Sequence, residues 1–226
     1  MKKIAIFGSG CHAKVVFYEI LKIKKFKIIG FVDEKISKGK VIIRCSQGVF
    51  RCIGKTSEVI NKKNNFTGII AIANNSIREK VYKEIISLKK NFKFEKIVSK
   101  NAIINSNVEI GNGSVVIGGS IINPDTIIGE HCLVNTSASI DHDNILENFS
   151  SVGPGVITGG NVIIKKSSFV GIGSVIKNNI IIDKNTIVGG NSFVNKNCKS
   201  NSVYFGSPAK KINNKKIKFL FVFYVE

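Results

Sequence analysis

Two rhythms of hydrophobic residues divide the chain. From residue 98 to 199 an aliphatic side chain returns at every sixth position. Stepping from Val98 through Ile104, Ile110 and Val116 to Val194, sixteen of seventeen positions are aliphatic and the exception is Thr158. The next residue is often Gly, Asn or Asp, as at Asn105, Gly111, Gly129 and Gly171, and the fourth is usually small, as at Ala102, Ser114, Ser120 and Ser150. A sustained period of six is a solenoid signature, in which each hexad supplies one short strand and one turn. Three hexads close a triangular coil, so residues 18 apart stack.

Residues 1–96 keep a different rhythm. "KKIAIFG" is a short apolar run ending in glycine and predicts a buried strand. "HAKVVFYEILKIKK" places Val15, Val16, Ile20, Leu21 and Ile23 at helical spacing. "KIIGFVDE" and "FTGIIAIANN" predict two more strands, and "SIREKVYKEIISLKK" a second amphipathic helix with Ser76 as N-cap. Alternating strands and helices imply a parallel α/β sheet. The stretch 39–56 reads as a small hairpin or a loop insertion. The predicted fold is a Rossmann-like α/β domain over 1–96, an all-β parallel β-helix over 97–212, and a tail over 213–226.

Composition changes this picture little. The net charge is +19, but the lysines are dispersed, which argues against a nucleic-acid surface and leaves a field that attracts phosphorylated small molecules. Five scattered cysteines without CxxC spacing argue against a disulfide framework or a metal site and fit a reducing cytoplasm. No apolar run is long enough to span a bilayer.

Candidate chemistry sits at two places. In "SIDHDNIL", His142 falls near a corner of a coil and not on its inward position. Asp141 precedes it and Asp143 follows. An imidazole beside a carboxylate suits a general base. Stacking by 18 sets Gly160 above it, where a missing side chain would leave backbone N–H groups accessible. In "FGSGCHAK" a strand-to-helix turn holds Cys11, His12 and Ala13, a plausible anion cradle. Asp33 and Glu34 end the second strand and are placed to accept hydrogen bonds from a base or ribose. His131 reads as structural or exposed.

These segments, with "FVDE", "IAIANNSIREKV" and "VYFGSPAKKI", resemble the acetyl-CoA-dependent sugar acetyltransferases grouped with sialic acid O-acetyltransferases and UDP-4-amino-sugar N-acetyltransferases. The resemblance covers nearly the whole chain. It implies a left-handed β-helix, a homotrimer with sites between neighbouring helices, and no metal. It also implies His142 as general base and Asp143 as the acid that raises its basicity. Acetyl-CoA would meet Gly160, Ile172 and Gly190. A sugar nucleotide would meet Cys11, His12, Ala13, Asp33, Glu34 and Ala73. Ser151 stands where the family commonly has a histidine against the acyl carbonyl, and is expected to donate one hydrogen bond there. The rival expectation is a catalytically silent scaffold that binds nucleotide sugar or partner enzymes.

Overall fold

A computed structural model describes residues 1–61 and 65–212. The apolar tail expected over 213–226 lies outside the described residues. The N-terminal unit runs β1 (Lys2–Phe7), α1 (Cys11–Ile23), β2 (Phe26–Val32), β3 (Val41–Cys45), β4 (Gly48–Gly54), α2 (Thr56–Ile60), β5 (Thr67–Ile70) and α3 (Asn75–Leu88). The sheet order is β3-β4-β2-β1-β5. All pairings are parallel except β3 with β4, so the ambiguous stretch is a hairpin whose second strand joins β2. α1 buries Ala13, Val16, Phe17 and Ile20, while Val15 stays 41% exposed. α3 begins one residue before Ser76. Its cap is Asn74, whose side chain accepts the Ile77 N–H at 3.1 Å, and Ser76 Oγ donates to the same oxygen.

From Ile97 onward the chain winds into a left-handed parallel β-helix. Two-residue strands stack on three faces with a register of 18, as in Val115, Leu133, Ser151 and Phe169. The first face starts at Ile97–Val98, the second at Ile103–Ile104 and the third at Glu109–Ile110. The inward hexad residues from Val116 to Val194 are essentially inaccessible, and Thr158 among them is 3% exposed. Each strand leaves room for one inward side chain, and in a dry core that position selects an aliphatic residue.

Three residues past most inward positions the backbone is left-handed, at Asn107, Asp125, Asp143, Asn161 and Asn179 among others. Asn and Asp tolerate that conformation better than other residues with side chains. The first face ends in an antiparallel pair, Val203–Phe205 with Lys210–Ile212.

The N-terminal unit packs on the outer side of the first face. Val16, Phe17 and Ile20 share a core with Ile97, Val115 and Leu133. The second contact is a buried cation. Arg78 is 2% exposed; its Nε donates to His131 O (2.8 Å), and Nη1 to Ile72 O (2.8 Å) and Ala73 O (2.9 Å). Nη2 donates to Asn75 Oδ1 (2.7 Å), Ser151 Oγ (2.8 Å) and Phe149 O (3.1 Å). Among the described residues no carboxylate touches it, and burial lowers its pKa to about 10.

Candidate active site

His142 lies at the corner between the second and third faces, exposed, as its place in the hexad predicts. Its Nδ1 is 2.7 Å from Asp143 Oδ2. With Asp143 ionised, that contact needs the hydrogen on Nδ1 and leaves the Nε2 lone pair free. The hydrogen bond to Asp143, and then the charge of Asp141, push the imidazole pKa above its ordinary value. Gly160 is one rung above. A Cβ there would come within 2.6 Å of Cε1 and Nε2 of His142. The imidazole therefore fills the space that the glycine leaves, and Gly160 is buried under it. This departs from the expectation of an open backbone surface. Gly160 seats the ring.

Ile172 and Gly190 stack as their spacing predicts: a Cβ on Gly190 would meet Ile172 Cγ2 at 3.0 Å. They occupy the corner between the first and second faces, not the corner of His142. Ile172 is 51% exposed.

Ser151 requires a correction. It is fully buried beneath the N-terminal unit. Its hydroxyl donates to Asn75 Oδ1 at 2.6 Å and accepts from Arg78 Nη2. Its one hydrogen is spent, so it has none to offer an acyl oxygen.

The N-terminal candidates gather at the carboxyl ends of β1, β2 and β5, where open α/β sheets take their ligands. Cys11 is exposed and His12 half-buried. Burial, and then the nearby Arg78 cation, lower the His12 pKa to about 4. Ala13 is corrected: its side chain is in the core and its N–H donates to Gly10 O. Both carboxylates are already engaged. Asp33 Oδ2 accepts from Ser9 Oγ (2.6 Å) and Oδ1 from the Lys35 N–H (2.9 Å). Glu34 accepts the Thr56 N–H (2.8 Å) at the start of α2, which is a structural use.

Ala73 does face open space. It lines a pocket of about 760 Å³ between the start of α3 and the outer side of the first face. Asn74, Glu79, Phe169, Ile187 and Phe205 line it too, and so does Gly190. Asn74, Glu79 and Phe205 fall inside the segments that carry the resemblance, but none of the five was expected in a site role. Phe169 and Ile187 meet through the 18-residue stacking, and Asn74 and Glu79 come from the start of α3. The pocket thus joins one residue expected at the sugar nucleotide to one expected at acetyl-CoA. Among the described residues, no cluster of three metal-ligating side chains exists, and no helix is long and apolar enough to cross a membrane.

Residues 3–85 match the model of the PglD N-terminal domain. A histidine-to-alanine variant of GDP-perosamine N-acetyltransferase from Caulobacter crescentus, in complex with CoA and GDP-perosamine, superposes with a TM-score of 0.85. It is 25% identical over 95% of this chain and 98% of that one. The acetyltransferase domain of PglB from Neisseria gonorrhoeae FA1090 gives the same TM-score and 26% identity, over 94% of this chain and 100% of that one.

Over nearly its whole length the chain is similar to sugar acetyltransferases of this fold. WeeI from Acinetobacter baumannii AYE shares the fold of this acetyltransferase, with a TM-score of 0.81 at 24% identity, over 94% of this chain and 100% of that one. No curated protein matches its sequence.

Proposed function

We propose that this acetyltransferase moves an acetyl group from acetyl-CoA to the amine of a nucleotide-linked amino sugar, with His142 as general base. The observation that carries the reading is the shared pocket, where Ala73 at the end of the α/β sheet and Gly190 on the β-helix line one cavity. Relatives of this fold were obtained with CoA and GDP-perosamine, or with acetyl coenzyme A. An uncharged amine attacks the thioester carbonyl while Nε2 of His142 takes the proton that the nitrogen loses. The tetrahedral intermediate then collapses, and the CoA sulfur leaves with a proton returned from the imidazolium. Asp143 holds the ring in the required tautomer and stabilises its charged form.

His142 does not line the pocket of its own chain, and it stands on a different corner from Gly190. A neighbouring copy would bring the two together. The second face offers the means, since Ile157, Val175 and Phe193 form an outward apolar stripe beginning next to that corner, each 37–50% exposed. Covering such a stripe favours association. This supports a homotrimer with sites between neighbouring helices.

Thiol release from acetyl-CoA tests the reading. The acceptor panel would hold a GDP-4-amino sugar, UDP-4-amino sugars, sialic acid and CMP-sialic acid. Release with one amino sugar, reduced about 10²–10⁴-fold in His142→Ala, is the expected result. Release only with sialic acid would move the acceptor from an amine to a hydroxyl. CoA binding without release from any acceptor would favour the silent scaffold. Full activity in His142→Ala would remove the base.

A further inference from the structure

The turn that carries His142 is built at the two places where the chain departs most clearly from its own six-residue rule. Thr158 is the single non-aliphatic residue among the seventeen inward positions. Its hydroxyl accepts the Asp141 N–H at 3.1 Å. Asn144 is the only amide in the slot four residues past each inward position, and it is fully buried.

Elsewhere a hydroxyl in this slot reaches the carbonyls three residues back and fifteen residues on. Ser120 Oγ lies 2.7 Å from Ile117 O and 2.9 Å from Asn135 O. Asn144 Nδ2 reproduces both contacts, to Asp141 O (2.7 Å) and Gly159 O (3.0 Å). It then adds a third that serine lacks, to His142 O at 3.0 Å. Among the described residues its own Oδ1 is buried without a partner, which is a cost that a fold alone has no reason to bear.

The result is a main chain in which the N–H and C=O groups of Asp141 and His142, and the N–H of Asp143, all have partners. Besides the Thr158 and Asn144 contacts, Asp141 O accepts from Thr126 Oγ1 at 2.8 Å. His142 N–H donates to Asp141 Oδ1 at 2.9 Å, an oxygen that also accepts from Asn123 Nδ2. His142 O accepts the Asn161 N–H at 3.0 Å, and Asp143 N–H donates to Pro124 O at 3.1 Å. Asp143 sits in the left-handed conformation that carries its carboxylate to Nδ1.

We infer that Thr158 and Asn144 are positioning residues for His142: they fix the peptide units on either side of the imidazole, so that the ring rests over Gly160 with Nδ1 on Asp143. The inference rests on the reading of His142 as the base. If the two residues served the fold alone, valine at 158 and serine at 144 would do at least as well, because the chain uses those types at the equivalent positions elsewhere.

Thr158→Val and Asn144→Ser return each site to the chain's own rule, while Thr158→Ser keeps the hydroxyl. Each would be compared with wild type and His142→Ala in two assays. One is steady-state thiol release with the amino-sugar nucleotide that turns over; the other is the titration of the His142 imidazole followed by NMR. In Thr158→Val and Asn144→Ser we expect kcat to fall at least about tenfold, the scale of a slightly misplaced catalytic group. The KM for acetyl-CoA should hold and the His142 titration should move. Thr158→Ser should keep near wild-type kcat and titration. Wild-type kcat in Thr158→Val and Asn144→Ser, with His142→Ala inactive, would overturn the inference and leave the base standing. A fall in kcat with the titration unmoved would overturn it too, because the residues would then act through the fold. Should His142→Ala remain active, the base assignment fails, and the titration alone decides whether these residues position the ring. Asn144→Ser carries the test if Thr158→Val does not fold.

Discussion

His131 makes the stability of this protein sensitive to acid, and the size of the effect can be worked out. The side chain is 2% exposed. It stacks on Phe149 with ring centres 5.1 Å apart and planes within 4°, meets Phe94 edge-on and packs against the tilted ring of Tyr82. Its Nδ1 has no hydrogen-bond partner among the described residues. Burial, and then the Arg78 cation, lower its pKa from 6.5 to about 3. A base with a depressed folded pKa resists protonation in the native state. Its contribution is therefore complete above about pH 6.5 and is lost as the pH falls toward 3. At pH 4.5 the unfolded imidazole binds its proton and the folded one does not, which costs the native state about 3 kcal/mol relative to neutral pH.

His131→Phe keeps an aromatic ring in the box. The next rung of the same column already carries Phe149, with the same left-handed backbone. The larger ring changes stability at neutral pH through packing, so the informative quantity is a double difference. Urea denaturation of both proteins at pH 7.5 and pH 4.5 removes the packing effect and every other titrating group. The variant should lose about 3 kcal/mol less than wild type between the two pH values, or melt roughly 6–12 °C closer to its neutral-pH midpoint. Equal losses in the two proteins would refute the argument that His131 is held neutral.

Two further perturbations read different parts of the molecule. Asp143→Asn removes the main cause of the raised His142 pKa; since the neutral ring is the active form, the rising limb of kcat against pH should shift to lower pH while its plateau falls, and an unmoved limb would separate Asp143 from the base. Arg78→Met orphans two buried main-chain carbonyls, those of His131 and Phe149, and releases two part-buried ones, those of Ile72 and Ala73, toward solvent. At about 1 kcal/mol for each buried carbonyl the loss is about 2 kcal/mol, or a melting point lower by roughly 4–8 °C, and a melting point equal to wild type would show that the buried cation joins nothing.

What could be read from the sequence follows from how far each interaction reaches. The β-helix was plain because sixteen of the seventeen inward positions obey the same constraint. The His142–Asp143 pair was plain because the partners are adjacent. Ser151 was misplaced because its surroundings are set by Asn75 and Arg78, 76 and 73 residues away, and no local signal announces that an N-terminal unit covers that rung. Glu34 reads as a ligand for ribose, yet it is spent on the start of α2, 22 residues on. The N-cap of α3 was shifted by two residues because Asn and Ser both cap, and only the geometry shows Asn74 accepting and Ser76 donating.

A strict repeat also makes its exceptions informative. In an irregular fold a buried threonine or asparagine is one of many polar residues with local reasons to be there. In the β-helix the local reason is the same at every rung, so a departure calls for a cause specific to its own turn. Thr158 breaks the inward rule, and it bonds the residue before His142. Asn144 breaks the slot rule, and it bonds the carbonyl of His142 itself. Ser151, by contrast, sits on an outward position where the repeat imposes little, and its identity was set by the unit packed against it. A residue's departure from the hexad rule therefore says more about the chemistry of this chain than its resemblance to a motif does.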